Sequence, residues 1–348
     1  MKVLYFILFL LTVPCYQLEN TNPKSKITTD YSYFYNPILT AGADPWIIYK
    51  DGFYYYTHTT GDRLEISKTK NLANLRSAER KVIWRPPAGK AYSSQLWAPE
   101  LHFLHGKWYM YFAADDGNND NHRMYVIEHD ATDPMEGEWT FKGKVSDKSD
   151  RWAIDGTVCE YNKQLYMLWS GWAGDKNGQQ NIYIAKMSNP WTISFERQLL
   201  SSPELKWEKV GSEENPYVSV NEGPQILINN SKVFLIYSAS GCWTDSYNLG
   251  MLSFQGDNDL SDPKVWVKSK TSVFSKSEQN GVYAPGHNSF FKSKDGKEDW
   301  ILYHANNNPG EGCHGGRSPR AQKFSWNADG TPYFGSPVSI KQPLNIPK

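Results

Sequence analysis

Five short runs of aromatic and β-branched residues recur along the chain, and a turn with Gly or Asn precedes each of them. The runs lie at residues 51–56, 105–112, 162–169, 231–237 and 297–303. This composition between turns predicts β-strands. The runs repeat at intervals of 54, 57, 68 and 66 residues when one aromatic position in each is aligned: Tyr55, Tyr109, Tyr166, Phe234 and Trp300.

The length of the repeat indicates the architecture. A propeller blade of four strands takes about 40–50 residues, so these intervals fit blades with inserted loops. No long amphipathic helix pattern lies between the runs. The predicted fold is therefore all-β, a single-domain five-bladed β-propeller over residues 31–348.

A second repeated feature lies about eleven residues upstream of each aligned aromatic. A short, mostly apolar stretch there carries one distinctive polar residue, which is Asp44, Glu100, Asp155, Glu222 or His287. The first strand of each blade lines the channel of a propeller, so these side chains are expected to converge. Acids that converge in a partly buried pocket have pKa values pushed apart, which suits a general base and a general acid at a glycosidic bond.

Composition and charge exclude several classes of protein. The 37 Lys and Arg residues balance 37 Asp and Glu residues, which argues against a nucleic-acid partner. Aromatic residues make up 15% of the chain, and disordered chains are poor in them. The mostly apolar run at residues 3–13 is too short to cross a bilayer, so no membrane span is predicted.

The N-terminus has the features of a targeting segment. The charged start, the apolar run and the break at Pro14 predict a signal peptide over about residues 1–15, followed by a linker at 16–30. The protein is therefore expected to be secreted or extracellular. If Cys15 leaves with the signal, three cysteines remain and at most one disulfide can form. Cys242 and Cys313, both in Gly-rich loops, are the favoured pair.

The signature segments of glycoside hydrolase family 43 closely resemble three stretches of this chain. These are residues 42–47 around Asp44, 152–158 around Asp155 and 220–224 around Glu222. The resemblance extends over essentially residues 36–340. It implies a five-bladed β-propeller, and the chain looks most like the exo-acting α-L-arabinofuranosidases that trim arabinan.

The resemblance also implies a role for each acid. Asp44 matches the general base that activates water, and Glu222 matches the general acid that protonates the leaving-group oxygen. Asp155 matches the third acid, which holds the general acid in place and tunes its pKa. Inversion would place Asp44 and Glu222 about 6.5–9.5 Å apart, with room for a water between them. No cofactor is required, because water is the nucleophile.

Two basic residues match further positions of the family. His287 resembles a channel histidine that contacts an ion or a water beneath the sugar, although a hydrogen-bonded core histidine is an equal alternative. Arg320 resembles an arginine of the last blade that reaches substrate hydroxyls. Arg317 lies close enough in sequence to be that arginine instead.

Tryptophans are the candidate sugar platforms, because sugar rings present flat C–H faces that pack on aromatic rings. Trp97 and Trp46 neighbour the predicted inner strands and are the first candidates for substrate binding. Trp172 and Trp243 follow strand ends in Gly-rich loops, and the sequence does not rank them. Most other aromatics are expected to pack between blades.

The implied function is that of a secreted inverting exo-α-L-arabinofuranosidase. It would release terminal α-L-arabinofuranose from plant cell-wall arabinan or arabino-oligosaccharides. A β-xylosidase or an endo-arabinanase of the same fold is the nearest alternative. A non-catalytic sugar-binding propeller is the alternative of another class, and it would be expected to lack at least one of the three acids.

Overall fold

Strands dominate the described part of the chain, and its helices are short 3₁₀ turns. The computed structural model describes Met1 and residues 31–211, 217–314 and 316–348. Apart from Met1, the predicted signal peptide at 1–15 and the predicted linker at 16–30 lie outside the described residues. Residues Tyr31–Lys348 form one compact unit.

In these residues the strands are numbered in chain order: β1 Tyr33–Phe34, β2 Trp46–Lys50, β3 Phe53–Thr57, β4 Leu64–Thr69, β5 Glu79–Trp84, β6 Ser94–Leu104, β7 Lys107–Asp115, β8 Arg123–His129, β9 Thr140–Val145, β10 Ala153–Tyr161, β11 Gln164–Trp172, β12 Gln179–Asn189, β13 Thr192–Ile193, β14 Gln198–Ser201, β15 Ser219–Asn229, β16 Lys232–Ala239, β17 Asn248–Phe254, β18 Trp266–Lys268, β19 Tyr283–Lys292, β20 Asp299–Asn306, β21 Ser318–Trp326, β22 Pro332–Tyr333 and β23 Leu344–Asn345. The 3₁₀ helices lie at Leu72–Ser77, Asn119–Asn121, Lys206–Glu208, Pro263–Val265 and Glu278–Asn280. No helix among the described residues is long and apolar enough to cross a membrane. The prediction of an all-β chain is confirmed.

The strands pair as successive antiparallel series in chain order. The first, second and fifth series are separate four-stranded sheets, made of β2–β5, β6–β9 and β19–β22. The third series, β10–β12 with β13 and β14, and the fourth, β15–β18, belong to one nine-stranded sheet. A short parallel pairing of β12 with β15 joins these two series. β1 pairs with β23 near the two ends of the described unit.

The five aromatic runs of the sequence become the second strand of each series. These strands are β3, β7, β11, β16 and β20, and every residue after the first is buried in each of them. Successive side chains of a strand point to opposite faces, so a strand covered on both faces needs an unbroken apolar run. The runs therefore lack the alternation with polar residues that a half-exposed strand would show.

Apolar clusters fill the space between consecutive series. In β7, Tyr109 and Tyr111 belong to the cluster shared with the third series, whereas Trp108 and Met110 belong to the cluster shared with the first. Two further clusters lie between the third and fourth series and between the fourth and fifth. Another cluster lies between the fifth series and the first. Burial of each such aromatic side chain contributes about 2–3 kcal/mol.

The first strands of the series contact one another in a cycle. β2 contacts β6, β6 contacts β10, β10 contacts β15, β15 contacts β19, and β19 contacts β2. Residues far apart in the sequence but at similar places on these strands are therefore brought together. The candidate site lies at the starts of these five strands.

Candidate active site

A backbone irregularity recurs at the start of each series. Residues with φ in the left-handed region lie there in every series: Asp44 (55°), Gln95 (49°) and Ala98 (43°), Asp155 (55°), Gly223 (55°), and Ala284 (48°) and His287 (48°). The strand pairing shifts register at this place in β6, β10, β15 and β19. A left-handed backbone costs a non-glycine residue roughly 1–2 kcal/mol. Such bulges redirect side chains and are common beside active sites.

The predicted acids line one pocket. Its volume is about 430 Å³, and its lining includes Asp44, Asp155 and Glu222 together with His287 and Arg317. Trp97, Trp152 and Trp243 contribute aromatic walls. A wider groove of about 590 Å³ lies elsewhere on the surface, beside Phe195, and none of the predicted site residues lines it. The chemistry is therefore concentrated in the smaller pocket.

Asp44 is a buried carboxylate surrounded by hydrogen-bond donors and basic side chains. Oδ1 accepts a hydrogen bond from Arg317 Nη1 at 3.1 Å, and Oδ2 accepts one from Thr59 Oγ1 at 2.6 Å. Burial alone would raise the pKa of Asp44. The charges of Arg317, His287 and His304 and the Thr59 hydrogen bond outweigh burial and hold this pKa well below its usual range. Asp44 is therefore ionised at neutral pH.

Glu222 has the opposite environment. Burial, with the negative charge of Asp44, raises the pKa of Glu222 to about 7, against the opposing effects of a Tyr247 hydrogen bond and of Arg317. The Tyr247 hydroxyl donates to Glu222 Oε1 at 2.7 Å. Glycine at position 286 makes this contact possible, because a Cβ there would lie 2.1 Å from the Tyr247 ring. Glu222 can therefore hold a proton close to neutral pH.

Asp155 is hydrogen-bonded to the backbone next to Glu222. Its Oδ2 accepts a hydrogen bond from the backbone N–H of Gly223 at 3.2 Å. Burial and the negative charges of Glu222 and Asp44 raise the pKa of Asp155 well above its usual range. Because Gly223 directly follows Glu222, Asp155 fixes the backbone that carries that side chain.

Two histidines lie beneath the acids. His287 Nδ1 lies 3.3 Å from Asp44 Oδ1, and the backbone N–H of His287 donates to Ser238 Oγ at 2.7 Å. Burial lowers the pKa of His287, although the charge of Asp44 opposes this. His304 Nδ1 accepts a hydrogen bond from the Asp44 N–H at 3.0 Å, and its ring stacks on Tyr247. Burial lowers the pKa of His304 well below its usual range.

His287 is the residue predicted to contact an ion or a water in the channel. Within the described ranges, no three His, Cys, Asp or Glu side chains are grouped so as to hold a metal ion. The nitrogen Nδ1 of His287 faces the carboxylates of Asp44 and Asp155 instead. The channel ion suggested for His287 stays a prediction, and the chemistry proposed below has no step that requires it.

Of the two tryptophans favoured by the sequence, only Trp97 lines the pocket. Its ring stacks on His122 at 4.0 Å. Trp46 is directed elsewhere, because its Nε1 donates to the Leu101 carbonyl at 2.9 Å and its ring lies 4.7 Å from His102. The placement of Trp46 in the pocket was wrong. The left-handed backbone at Asp44 interrupts the strand alternation that would give residues 44 and 46 the same direction.

The arginine in the pocket is Arg317 and not Arg320. Arg320 lies inside β21 and is fully buried, and its Nη2 donates to Asn307 Oδ1 at 2.7 Å. Arg317 precedes β21 and reaches Asp44. The placement of Arg320 at the substrate is therefore corrected. The sequence interval of three residues was too small to separate the two without knowing where β21 begins.

Glu100 does not join the three acids of the pocket lining. Its Oε1 accepts a hydrogen bond from Gln225 Nε2 at 2.5 Å, and its Oε2 lies 2.8 Å from His102 Nε2. The left-handed residues of this strand, Gln95 and Ala98, both precede Glu100. The acid of the second series therefore lies at a different place along its strand.

Several residues of the site were missed by sequence reasoning. Thr59, Tyr247 and His304 contact the acids, yet each is a single residue with no repeated pattern around it. Trp152 lines the pocket and stacks on the buried Trp172 at 4.8 Å. Trp152 could have been found, since it lies three residues before Asp155.

The favoured cysteine pair is confirmed. Cys242 and Cys313 form a disulfide with Cα atoms 5.3 Å apart, and both residues line the pocket. Cys159 is a free thiol and partly buried. The disulfide joins the segment after β16 to the segment after β20.

Two carboxyl groups of unlike protonation, in a pocket with tryptophan walls, are typical of enzymes that hydrolyse glycosides. Comparison with known proteins gives the same class. The family model for glycosyl hydrolases family 43 matches residues 34–332. This chain belongs to glycoside hydrolase family 43.

Individual relatives are similar over most of this chain. An extracellular exo-alpha-(1->5)-L-arabinofuranosidase of Streptomyces avermitilis is 41% identical over 315 residues, and alpha-L-arabinofuranosidase 43 of Humicola insolens is 36% identical over 316 residues. Each alignment covers 88% of this chain and 64% of the relative, so the chain spans slightly less than two thirds of the length of those proteins. The crystal structure of an alpha-L-arabinofuranosidase from Lactobacillus brevis superimposes with a TM-score of 0.81 at 40% identity, covering 88% of this chain and 98% of that one.

Proposed function

We propose that this protein is an inverting exo-α-L-arabinofuranosidase that releases terminal α-L-arabinofuranose from arabinan or arabino-oligosaccharides. The observation that carries the proposal is the unlike protonation of Asp44 and Glu222 in one pocket. The similarity to several proteins named as α-L-arabinofuranosidases supports the choice of sugar.

In the proposed reaction, Asp44 and Glu222 act on opposite sides of the sugar. Asp44, ionised at neutral pH, takes a proton from the water that attacks the anomeric carbon. Glu222 gives its proton to the glycosidic oxygen as the bond from that oxygen to the anomeric carbon breaks. Hydrogen bonds from Arg317 and Thr59 orient the Asp44 carboxylate toward its water.

Asp155 has a supporting role in this proposal. Its hydrogen bond from the Gly223 N–H keeps the backbone at Glu222 in place. Its negative charge favours the protonated form of Glu222 whenever Asp155 itself is ionised. Because both groups have raised pKa values and interact, the loss of a proton by one makes its loss by the other harder.

We also propose that the strand series are the five blades of one β-propeller. The support is threefold: the antiparallel series follow one another in the chain, apolar clusters lie between consecutive series and between the last and the first, and the first strands contact one another in a cycle. In this arrangement the acids lie at one end of a central channel.

The natural substrate and location follow from the same proposal. Plant cell-wall arabinan is a polymer outside cells, and the name of the Streptomyces avermitilis relative describes an extracellular enzyme. The apolar run at residues 3–13 after a charged start is typical of a signal peptide. We therefore propose that the protein is secreted.

A panel of substrates tests the proposal. The purified chain is incubated with nitrophenyl glycosides and with linear and branched arabinan, and products are separated by size. Release of arabinose alone supports an exo-α-L-arabinofuranosidase. Xylose release would indicate a β-xylosidase, mixed arabino-oligosaccharides an endo-arabinanase, and binding without any release a sugar-binding protein.

Variants connect the activity to the two acids. Asp44→Asn and Glu222→Gln should each lower kcat on arabino-oligosaccharides by at least about a thousandfold, because each removes a proton-transfer group. Glu278→Gln is the matched control, since that carboxylate is exposed and outside the pocket. Near-full turnover by either pocket variant would remove that residue from the mechanism.

A further inference from the structure

Trp243 lies at the mouth of the pocket. It belongs to the segment at residues 240–247, between β16 and β17, and it lines the pocket together with Trp97 and Trp152. Trp243 is 41% exposed, whereas Trp152 is 4% exposed and Trp97 is partly buried. Of these three rings, Trp243 therefore offers the largest free face to a sugar entering from solvent.

The position of Trp243 relative to Glu222 indicates which sugar it meets. β15 carries Glu222 and pairs with β16, which ends four residues before Trp243. Tyr247 of the same segment donates to Glu222. The general acid protonates the oxygen of the departing sugar, so that sugar must extend past Glu222. An exposed indole on this side of the pocket suits the flat C–H face of the departing sugar.

The Trp243 ring is held mainly by its own segment. The indole packs on Gly241, where an added Cβ would lie 2.4 Å from the ring. The Thr244 N–H closes a turn by donating to the Gly241 carbonyl at 3.0 Å. These contacts fix the ring within the segment, and backbone hydrogen bonds from the Ser240 N–H to the Glu208 carbonyl at 3.2 Å and from the Gly241 N–H to the Val210 carbonyl at 2.7 Å anchor the start of the segment.

Among the described residues, two connections join the segment to the loop between β20 and β21. One is the Cys242–Cys313 disulfide, formed by the residue next to Trp243. The other is an exposed hydrogen bond from the Gly310 N–H to Asp245 Oδ1, at 2.9 Å. Exposed hydrogen bonds contribute little to holding a loop, because water competes for both partners. The disulfide is therefore the stronger of the two connections.

We propose that Trp243 is the platform for the sugar on the leaving-group side of the cleaved bond, and that the Cys242–Cys313 disulfide positions it. The proposal rests on the proposed hydrolysis of arabinosides. A crosslinked segment has less freedom to lose when substrate binds, so the disulfide strengthens binding on this side. Arg317 has an anchor of its own in the first series, since its carbonyl accepts the Gly42 N–H at 3.0 Å.

Two substrates separate this role from a general effect on the site. α-1,5-linked arabinotriose, the linkage in the name of one relative, has a sugar as its leaving group. α-L-Arabinofuranosyl fluoride has a single atom there and cannot reach Trp243. Trp243→Ala should lower kcat/KM for arabinotriose about tenfold, mainly through KM, and change the value for the fluoride less than about twofold.

Two further variants control for side-chain size and exposure. Trp243→Phe keeps an aromatic face and should restore most of the kcat/KM for arabinotriose. Phe195→Ala removes an aromatic that is 62% exposed outside this pocket, and it should change neither substrate. Turnover of the fluoride shows in every case that the catalytic groups are folded.

The disulfide is tested by replacing both cysteines with serine. Cys242→Ser with Cys313→Ser should lower kcat/KM for arabinotriose about threefold to fivefold and leave the fluoride within about twofold. Adding Trp243→Ala to this variant should give the same kcat/KM as Trp243→Ala alone, because the disulfide acts through that ring.

Other results overturn the proposal. An unchanged kcat/KM of Trp243→Ala for arabinotriose, or an equal loss on both substrates, would contradict the platform. Independent, multiplying losses from the tryptophan and cysteine changes would contradict the positioning role. If the wild-type protein hydrolyses neither substrate, the proposed function itself fails, and this inference fails with it.

Discussion

Asp44 and Glu222 show how side chains of the same chemistry acquire opposite roles. Both are carboxylic acids in one pocket, and burial raises the pKa of each. Asp44 is surrounded by Arg317 and two histidines, and these side chains stabilise its anion. Glu222 accepts a hydrogen bond from a tyrosine hydroxyl, whose effect on its pKa is smaller than that of burial. The neighbours, and not the residue type, decide which acid carries the proton.

Replacing Arg317 tests the electrostatics of Asp44. Arg317→Gln removes the positive charge that most strongly lowers the pKa of Asp44, so that pKa should rise. The acidic limb of the kcat/KM–pH profile should then move to higher pH. Arg85→Gln, which changes an exposed arginine paired with Asp62, is the control and should leave the profile unchanged. An acidic limb that stays in place would exclude Arg317 as the group that keeps Asp44 ionised.

Replacing Glu222 tests the cost of its burial. The pKa of Glu222 is about 7 in the folded protein and 4.5 as an ordinary value, so the stability that its protonated form contributes is complete below pH 4.5 and lost as pH rises through 7. Glu222→Gln cannot ionise. The free energy of unfolding of Glu222→Gln, relative to that of the wild type, should therefore increase by on the order of 2 kcal/mol between pH 4.5 and about pH 8.

Urea denaturation at the two pH values measures this gain. Glu278→Gln is the control, because Glu278 is exposed and its pKa is lowered by Lys276. It should show no gain with rising pH. A difference between Glu222→Gln and the wild type that does not grow with pH would mean that Glu222 has an ordinary pKa.

At the scale of the element, the first strand of each series combines an apolar run with left-handed backbone at or just before its start, and β6, β10, β15 and β19 also have bulges there. The apolar runs were predictable because burial on both faces demands them. The bulges were not, since they depend on left-handed backbone at residues as different as Asp44, Ala98 and Gly223. This explains why the three acids were identified, whereas Trp46 was misplaced by the strand alternation that the bulge interrupts.

Sequence reasoning also found the disulfide but missed the neighbours of the acids. Cys242 and Cys313 were favoured because both lie in Gly-rich loops. Thr59, Tyr247 and His304 reach the acids from later strands or loops of the fold, and only the packing of the series brings them there. The resemblance to a family supplied residue roles that spacing alone could not.

Replacing Gly286 tests how closely β19 must approach Tyr247, the hydrogen-bond partner of Glu222. Gly286→Ala places a methyl group against the Tyr247 ring and should displace it from Glu222. The hydrogen bond from Tyr247 lowers the pKa of Glu222, so its loss should raise that pKa. The alkaline limb of kcat/KM should then move to higher pH, and kcat should fall. Tyr247→Phe is the matched variant and should move the limb in the same direction. Opposite shifts in the two variants would contradict this explanation.

At the scale of the whole molecule, the cycle of first strands explains how residues 111 and 67 positions apart can share one pocket: Asp44, Asp155 and Glu222. The pairing of β1 with β23 adds a connection between the first and last parts of the described unit. Leu344 and Ile346 pack against the apolar cluster between the fifth and first series. This connection should stabilise the fold without affecting the catalytic activity.

Shortening these two side chains tests that separation. Leu344→Ala with Ile346→Ala should cost about 2 kcal/mol of unfolding free energy, because both side chains are only partly buried. For a unit of this size that corresponds to a fall in Tm of roughly 3 °C. kcat/KM at 25 °C should stay within about twofold. A lost activity with an unchanged Tm would mean that this end of the chain shapes the pocket directly.

The central claim is that Asp44 directs a water at the anomeric carbon while Glu222 protonates the leaving group. Proton NMR of the wild-type protein acting on an α-linked arabino-oligosaccharide tests it most directly, because it identifies the first-formed anomer before mutarotation. With inversion, β-L-arabinofuranose should appear first, and arabinose should be the only sugar released from the chain end. Initial formation of the α-anomer would show retention, and it would contradict the assignment of Asp44 as the base for water.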